Sequence, residues 1–251
     1  MSVTIKSSKE IELMREAGNI LAIVHEELEK FIRPGITTLD IDRKGEELIR
    51  SMGCIPSFKG YSGYPASICV SVNDEVVHGI PNKKVILREG DIVSLDAGVI
   101  YQGYHSDAAR TWAVGEISKE ARQLIDVTKQ SFFEGIKFAK AGYHLNDISG
   151  AIQDYVESFG YSIVRDLVGH GIGTQLHEDP QIPNFRQKRR GIKLEPGMTL
   201  AIEPMVNVGH YDVCWLDDDW TVVTEDGSLS AHYENTVLIT DGEPEILSIR
   251  K

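Results

Sequence analysis

Cysteine is scarce in this chain of 251 residues: only Cys54, Cys69 and Cys214 occur. An odd number with no C-x-x-C pair argues against a disulfide framework or a thiolate zinc knuckle, and for a reducing compartment. Long apolar runs are missing too. None approaches the ~20 residues that a bilayer span needs, and Met1 to Glu12 contains no apolar core of a secretory signal. A cytoplasmic protein without a membrane partner is therefore expected. Positive charge is in deficit, with 26 Lys and Arg against 38 Asp and Glu and a formal charge of −12. Bulk electrostatic binding to DNA or anionic lipid needs a basic face, so neither is expected as a partner. One local run breaks the trend: Arg186, Lys188, Arg189 and Arg190. There is no G-x-S-x-G nucleophile elbow and no Gly-Lys-Ser/Thr ending of a phosphate loop. A Cys69–histidine nucleophile stays open at this level.

The chain does carry strong patterning. Leu13, Ala17, Ile20, Leu21, Val24, Leu28 and Phe31 recur at helical spacing behind a Ser7/Glu10 capping box, and Pro34-Gly35 stops them. A second helix is expected from Thr37 or Thr38 to Gly53, and two more over 119–140 and 146–159. Strands are expected at 67–73, 75–80, 91–100, 104–114 (through a Gln102-Gly103 turn), 162–167, 198–206, 220–224, 230–240 and 245–249. The glycine-, proline- and charge-rich stretch 169–197 carries no strand pattern.

A repeat lies inside this order. RPGITTLDIDRKGEELIRSMG (33–53) aligns with KAGYHLNDISGAIQDYVESFG (140–160), pairing Gly35 with Gly142, Asp40 with Asp147 and Gly53 with Gly160. The same offset of 107 brings Gly90 onto Gly197 and Asp96 onto Glu203. Halves this short must share a core, so residues 1–251 are read as one catalytic domain of two pseudo-symmetric halves with a site between them.

Asp96 (IVSLDAGVI), Asp107 (GYHSDAART), Glu203 (TLAIEPMV) and Glu234 (SAHYENTVLIT) each interrupt an apolar strand pattern. Buried carboxylates are costly unless they are paired or metal-bound. Asp96 and Asp107 are expected side by side on one hairpin, where a cation must separate them or a proton neutralise one. Two divalent ions would balance four carboxylates. An oxygen-rich donor set with an imidazole suits Mn, Fe, Co or Zn. Among the eight histidines, His170 in VGHGIG, His177 in QLHEDP and His78 in VVHGIP have informative contexts.

DAG (96–98), SDAART (106–111), GHGIGTQLHEDP (169–180), AIEP (201–204) and YENT (233–236), with GYPASICVSVNDEVVHGIP (63–81) and RPGITTLDID, together resemble the methionine aminopeptidases, type I subgroup, over nearly the whole chain. The resemblance implies an α+β pita-bread fold, a pseudo-two-fold repeat of helices packed on a curved, mainly antiparallel sheet. It implies a metal-dependent exopeptidase that removes the N-terminal methionine of nascent proteins and peptides before a small second residue. Its two-metal ligands fall on Asp96, Asp107, His170, Glu203 and Glu234, with Asp107 and Glu234 bridging. His78 and His177 match the histidines that contact the scissile peptide, and Glu203 the proton shuttle. Tyr61, Tyr64, Cys69, Leu176 and Trp220 match the methionine pocket. Three positions depart from the usual pattern: Leu176 stands for an aromatic, His232 for Gln and Asn235 for His. The family's work on nascent chains also implies a monomer, with ribosomal RNA as a partner for the basic run that otherwise reads as a solvated loop.

Overall fold

A computed structural model describes residues 3–250. The first half comprises α1 (Ser8–Phe31), α2 (Thr38–Ser51), β1 (Ile55–Pro56), β2 (Ile68–Val72), β3 (Glu75–Val77), β4 (Ile92–Tyr101) and β5 (Tyr104–Ala113). The second begins with α3 (Lys119–Ile136), α4 (Leu145–Glu157), β6 (Ser162–Ile163), β7 (Gly169–Gly171) and β8 (Glu178–Ile182). It continues with β9 (Thr199–Ile202), β10 (Met205–Asn207), β11 (Val213–Trp215), β12 (Val222–Thr224), β13 (Ser230–His232), β14 (Asn235–Leu238) and β15 (Glu245–Ile246). Every strand pairing is antiparallel.

Local chemistry accounts for the boundaries. The expected capping box starts α1: the Glu10 N–H donates to Ser7 Oγ, and the Ser7 N–H to Glu10 Oε2 at 2.7 Å. The β4–β5 hairpin turns on Gln102 (φ 46°) and Gly103 (φ 86°), the left-handed pair that a two-residue turn requires. Three expectations need correction. The stretch 169–197 is not strand-free, because β7 and β8 form in it. The single strands expected at 198–206 and 230–240 are each divided, at Glu203-Pro204 and at Tyr233-Glu234. Pro204 has no N–H to donate to a ladder, so the strand cannot run through it. Helix α3 ends at Ile136, where Phe138 and Ala139 donate to carbonyls three residues back and tighten the last turn.

The repeat is reproduced bond by bond. Gly35 N–H donates to the Leu87 carbonyl and Gly142 N–H to that of Leu194; Thr38 donates to Val85 and Leu145 to Ile192. β1 pairs Ile55 with Ile100, and β6 pairs Ser162 with Asn207. Each residue of these pairs lies 107 positions from its counterpart in the other half. Gly35 and Gly142 share φ near 92° (93° and 92°), which explains why glycine recurs there. The outer strand of the hairpin repeats at 125 instead, because 18 further residues carrying β11 and β12 separate β10 from β13.

Each half has its own core. Leu21, Val24, Ile41, Ile68 and Leu95 pack under α1 and α2; Leu124, Phe132, Ile148, Ile152 and Leu200 pack under α3 and α4. A seam joins them: Glu234 N–H donates to the Ala109 carbonyl (3.0 Å), and Thr111 Oγ1 accepts from the His232 N–H (2.8 Å). Helix α1 also presses on the C-terminal segment. A Cβ added at Gly18 would lie 2.1 Å from the Leu247 carbonyl oxygen. Gly→Ala gains ~1 kcal/mol of helix propensity, but overpacking against immobile backbone costs ~1–3 kcal/mol or more. Gly18→Ala is therefore expected to lower stability, read as a reduced urea midpoint at unchanged slope.

Candidate metal centre and active site

The hairpin and the two strand breaks aim their carboxylates at one point. Asp107 pairs across from Gly98, and Asp96 from Ala109. The two aspartates are thus diagonal neighbours on one sheet face rather than directly opposite, a refinement of the side-by-side expectation. Glu203 and Glu234 approach from β9–β10 and β13–β14, each at its break. There the chain leaves the ladder, and its side chain escapes the alternation of a regular strand.

His170, in β7, completes the cluster. Its Nε2 lies 3.8 Å from Asp107 Oδ2 and 3.6 Å from Glu203 Oε1. Its Nδ1 is 2.9 Å from the Gly171 carbonyl. A carbonyl only accepts, so Nδ1 carries the proton. Burial holds the ring's pKa down at about 3, so the imidazole is neutral and Nε2 presents its lone pair to the carboxylates. That is the tautomer a metal ligand needs.

Donor atoms of Asp107, His170 and Glu234 all lie within 4.8 Å of one another. Asp96 Oδ1, Asp107 Oδ1 and Glu234 Oε1 are buried without a hydrogen-bond partner. Burial first, then the neighbouring negative charges, push Asp107, Glu203 and Glu234 well above the usual carboxylate range, and burial raises Asp96 to about 7. Four acceptors and a bare imidazole nitrogen, several left unpaired, fit divalent cations of the Mn, Fe, Co or Zn type. Arg110, partly buried, caps the back of the cluster: its guanidinium donates to the Glu234 carbonyl and, at 2.6 Å, to Asn235 Oδ1.

A cavity of about 140 Å³ opens in front of this cluster. Tyr61, Tyr64, Cys69, His78, Leu176, His177 and Trp220, all named from sequence, line it with the five cluster residues. Phe58 lines it as well and was missed; an aromatic in an irregular segment carries no periodic signal. Tyr64 meets Trp220 edge-on (centroids 5.0 Å) and donates from its hydroxyl to the Gly79 carbonyl at 2.9 Å. His78 sits at φ 61°, a left-handed strain uncommon outside glycine. Its ring lies 6.2 Å from that of Trp220. At the mouth, Tyr61 Oη is 2.7 Å from His177 Nδ1. Burial lowers His78 to about 4 and lowers His177 also, so both are neutral near pH 7.

Cys69 faces Asp96 across the β2–β4 ladder, and burial with that adjacent carboxylate pushes its thiol well up. This is the reverse of a reactive thiolate, so the Cys69–histidine nucleophile is set aside. His25 and His144 are not metal-site residues: His25 Nε2 bonds the Ala108 carbonyl at 2.8 Å, and His144 caps α4. Of the basic run, Arg186 is paired with Asp154 (2.6 Å) and Arg190 with Asp147 (3.5 Å).

Residues 12–241 match the model of metallopeptidase family M24. The chain belongs to that family. It is similar to the methionine aminopeptidase of Clostridium acetobutylicum, with 59% identity covering 98% of this chain and 99% of that protein. Methionine aminopeptidase 1 of Bacillus subtilis is 52% identical over 98% and 99% of the two chains. The crystal structure of methionine aminopeptidase from Thermotoga maritima superposes with a TM-score of 0.97 at 47% identity, covering 99% of this chain and 100% of that one. The M24 fold likeness extends to the Xaa-Pro dipeptidase of Bacillus anthracis (TM-score 0.78, 28% identity), of which the match covers 61%, and 97% of this chain. The expected α+β architecture, two pseudo-symmetric halves of helices on antiparallel sheet, is the one observed. No helix among the described residues is long and apolar enough to cross a membrane.

Raised carboxylate pKa values have a direct consequence. Below those values the metal-free cluster holds protons, and a cation must displace them. Mn(II) affinity is therefore expected to fall from pH 8 to pH 6. Binding should release more protons at pH 6 than at pH 9, as read by calorimetry in buffers of different ionisation enthalpy.

Proposed function

We propose that this M24 chain removes the N-terminal methionine from peptides and nascent proteins, preferring a small second residue, by hydrolysis at a two-metal centre. The observation that carries the reading is the junction of two environments in one cavity: five metal-binding donors on one side, an aromatic and thiol wall on the other. A methionine side chain is long, flexible and polarizable, and its sulfur favours aromatic edges. Tyr64 and Trp220 offer such edges, with Cys69 and Leu176 filling between them. The full-length similarity to proteins named methionine aminopeptidase supports the same substrate.

Asp96, Asp107, His170, Glu203 and Glu234 would hold two divalent ions. When bound, the ions supply Lewis acidity and a water acidic enough to attack at neutral pH. The remaining work belongs to side chains. Glu203, in the cavity lining, takes the proton from the attacking water and passes it to the leaving amine. His177, neutral and held through Nδ1 by Tyr61, presents Nε2 to the scissile carbonyl, where a donor stabilises the negative charge that develops on oxygen. His78, fixed by its strained backbone, contacts the peptide from the opposite side.

Metal-stripped protein restored singly with Mn, Co or Fe is expected to release methionine from Met-Ala-Ser. Release from Xaa-Pro peptides alone would transfer the chain to the prolidase branch of M24, and no release with any ion would leave a binding module. Asp107→Asn should abolish turnover while far-UV circular dichroism is unchanged. His177→Ala should lower kcat by about 10²–10³, the usual cost of one oxyanion donor. We also propose that the chain works as a cytoplasmic monomer on emerging polypeptides and meets ribosomal RNA through Lys188 and Arg189. Both are exposed, between the two paired arginines. Ribosome co-sedimentation should weaken when these two charges are reversed.

A further inference from the structure

His232 is not used by the reading above, yet it is built into the site. Its side chain is 1% exposed, and neither ring nitrogen has a hydrogen-bond partner. Nε2 lies 3.7 Å from Glu203 Oε2, just beyond hydrogen-bond reach. His170 Nε2 lies 3.6 Å from the other oxygen of the same carboxylate. One imidazole thus faces each oxygen of Glu203.

The repeat explains how His232 comes to stand there. In the first hairpin Asp107 pairs across from Gly98, two residues beyond Asp96. In the second, His232 pairs across from Met205, two residues beyond Glu203. Asp96 and Glu203 are counterparts at offset 107, and so are Gly98 and Met205. His232 therefore occupies the position in the second half that Asp107 holds in the first. The fold aims this position at the carboxylate centre in both halves, and the chain fills it once with an acceptor and once with an imidazole.

We propose that His232 is a positioning residue whose Nε2–H donates to Glu203 Oε2 once Glu203 holds a metal ion. This orients the carboxylate so that Oε1, on the His170 side, serves the ion. The proposal rests on the two-metal reading. A carboxylate free to rotate presents either oxygen, or both, to a cation; a donor fixed on one oxygen removes that freedom. Closing 3.7 Å to an ordinary N–H···O⁻ contact of about 2.8 Å takes less than an ångström of side-chain motion. His232 is held for this by its own backbone, which exchanges hydrogen bonds with Thr111 across the seam at 2.8 and 3.0 Å.

The test is Mn(II) titration of the metal-stripped protein by calorimetry, comparing the parent with His232→Leu and His232→Gln. Leucine keeps bulk and removes the donor; glutamine restores a neutral N–H donor. His232→Leu is expected to weaken one of the two ions by ~10–100-fold and leave the other nearly unchanged, with His232→Gln close to the parent. Circular dichroism and Tm establish that each variant is folded. Parent-like binding of both ions by His232→Leu, or equal weakening by leucine and glutamine, would overturn the proposal. So would direct metal coordination of His232 in the ¹⁵N spectrum of the Zn-loaded protein, where a protonated Nε2 is expected. A parent that binds only one Mn(II) would count against the two-metal reading, and the variants would still decide the role of His232 on the ion that does bind.

Discussion

Mutual repulsion among four clustered carboxylates, Asp107 and Glu234 buried and Asp96 and Glu203 partly so, is the constraint around which this molecule is arranged. Asp96, Asp107, Glu203 and Glu234 converge where solvent screens them poorly, and each raises the proton affinity of a neighbour. Such a cluster persists only with compensating charge, from protons or from cations. The protein supplies one permanent positive group, Arg110, behind Glu234. The neutral His170 adds a lone pair and no charge. Bound divalent cations would supply the rest. The same demand for dense negative charge at one point explains why so much of the chain's −12 is not surface charge.

Bringing four carboxylates together needs two hairpins facing each other, and the repeat delivers them. Each half builds a helix pair, a short leading strand and a long hairpin with matching registers. The halves then meet along β5 and the β13–β14 segment through backbone bonds and threonine hydroxyls. The symmetry is incomplete in an informative way. Asp96 stays within a regular strand, whereas its counterpart Glu203 lies at a break made by Pro204. Asp107 has His232 as its counterpart, and Ala109 has Glu234. A symmetric frame thus carries an asymmetric donor set, with carboxylates alone from one half and carboxylates with imidazoles from the other.

Much of this was legible from the residues. Helical spacing behind a capping box located α1, since those signals are local and depend on neighbours three or four positions away. The recurring glycines revealed the repeat because a left-handed backbone tolerates little else. A carboxylate in an apolar strand is costly enough to announce itself, and all four site carboxylates were found that way. The errors fell where local pattern and tertiary pairing disagree. β7 and β8 form within a stretch of glycine, proline and charge because sheet neighbours provide their ladder, not because the residues favour extended backbone. Apolar runs at 198–206 and 230–240 conceal breaks, since hydrophobicity reports burial and not hydrogen bonding.

The sequence alone determined the four helices, the main hairpin strands, the duplication, the candidate metal-binding residues and, through resemblance, the chemistry to expect of them. These follow from side-chain type and short-range spacing. Only the tertiary structure decided which donors meet, which nitrogen of His170 is bare, that Cys69 is an inert wall, and that His232 faces Glu203. Apart from the His170–Gly171 contact, those facts depend on contacts between residues tens of positions apart or more. The physical quantities concerned, burial and charge proximity, exist only after the two halves have closed.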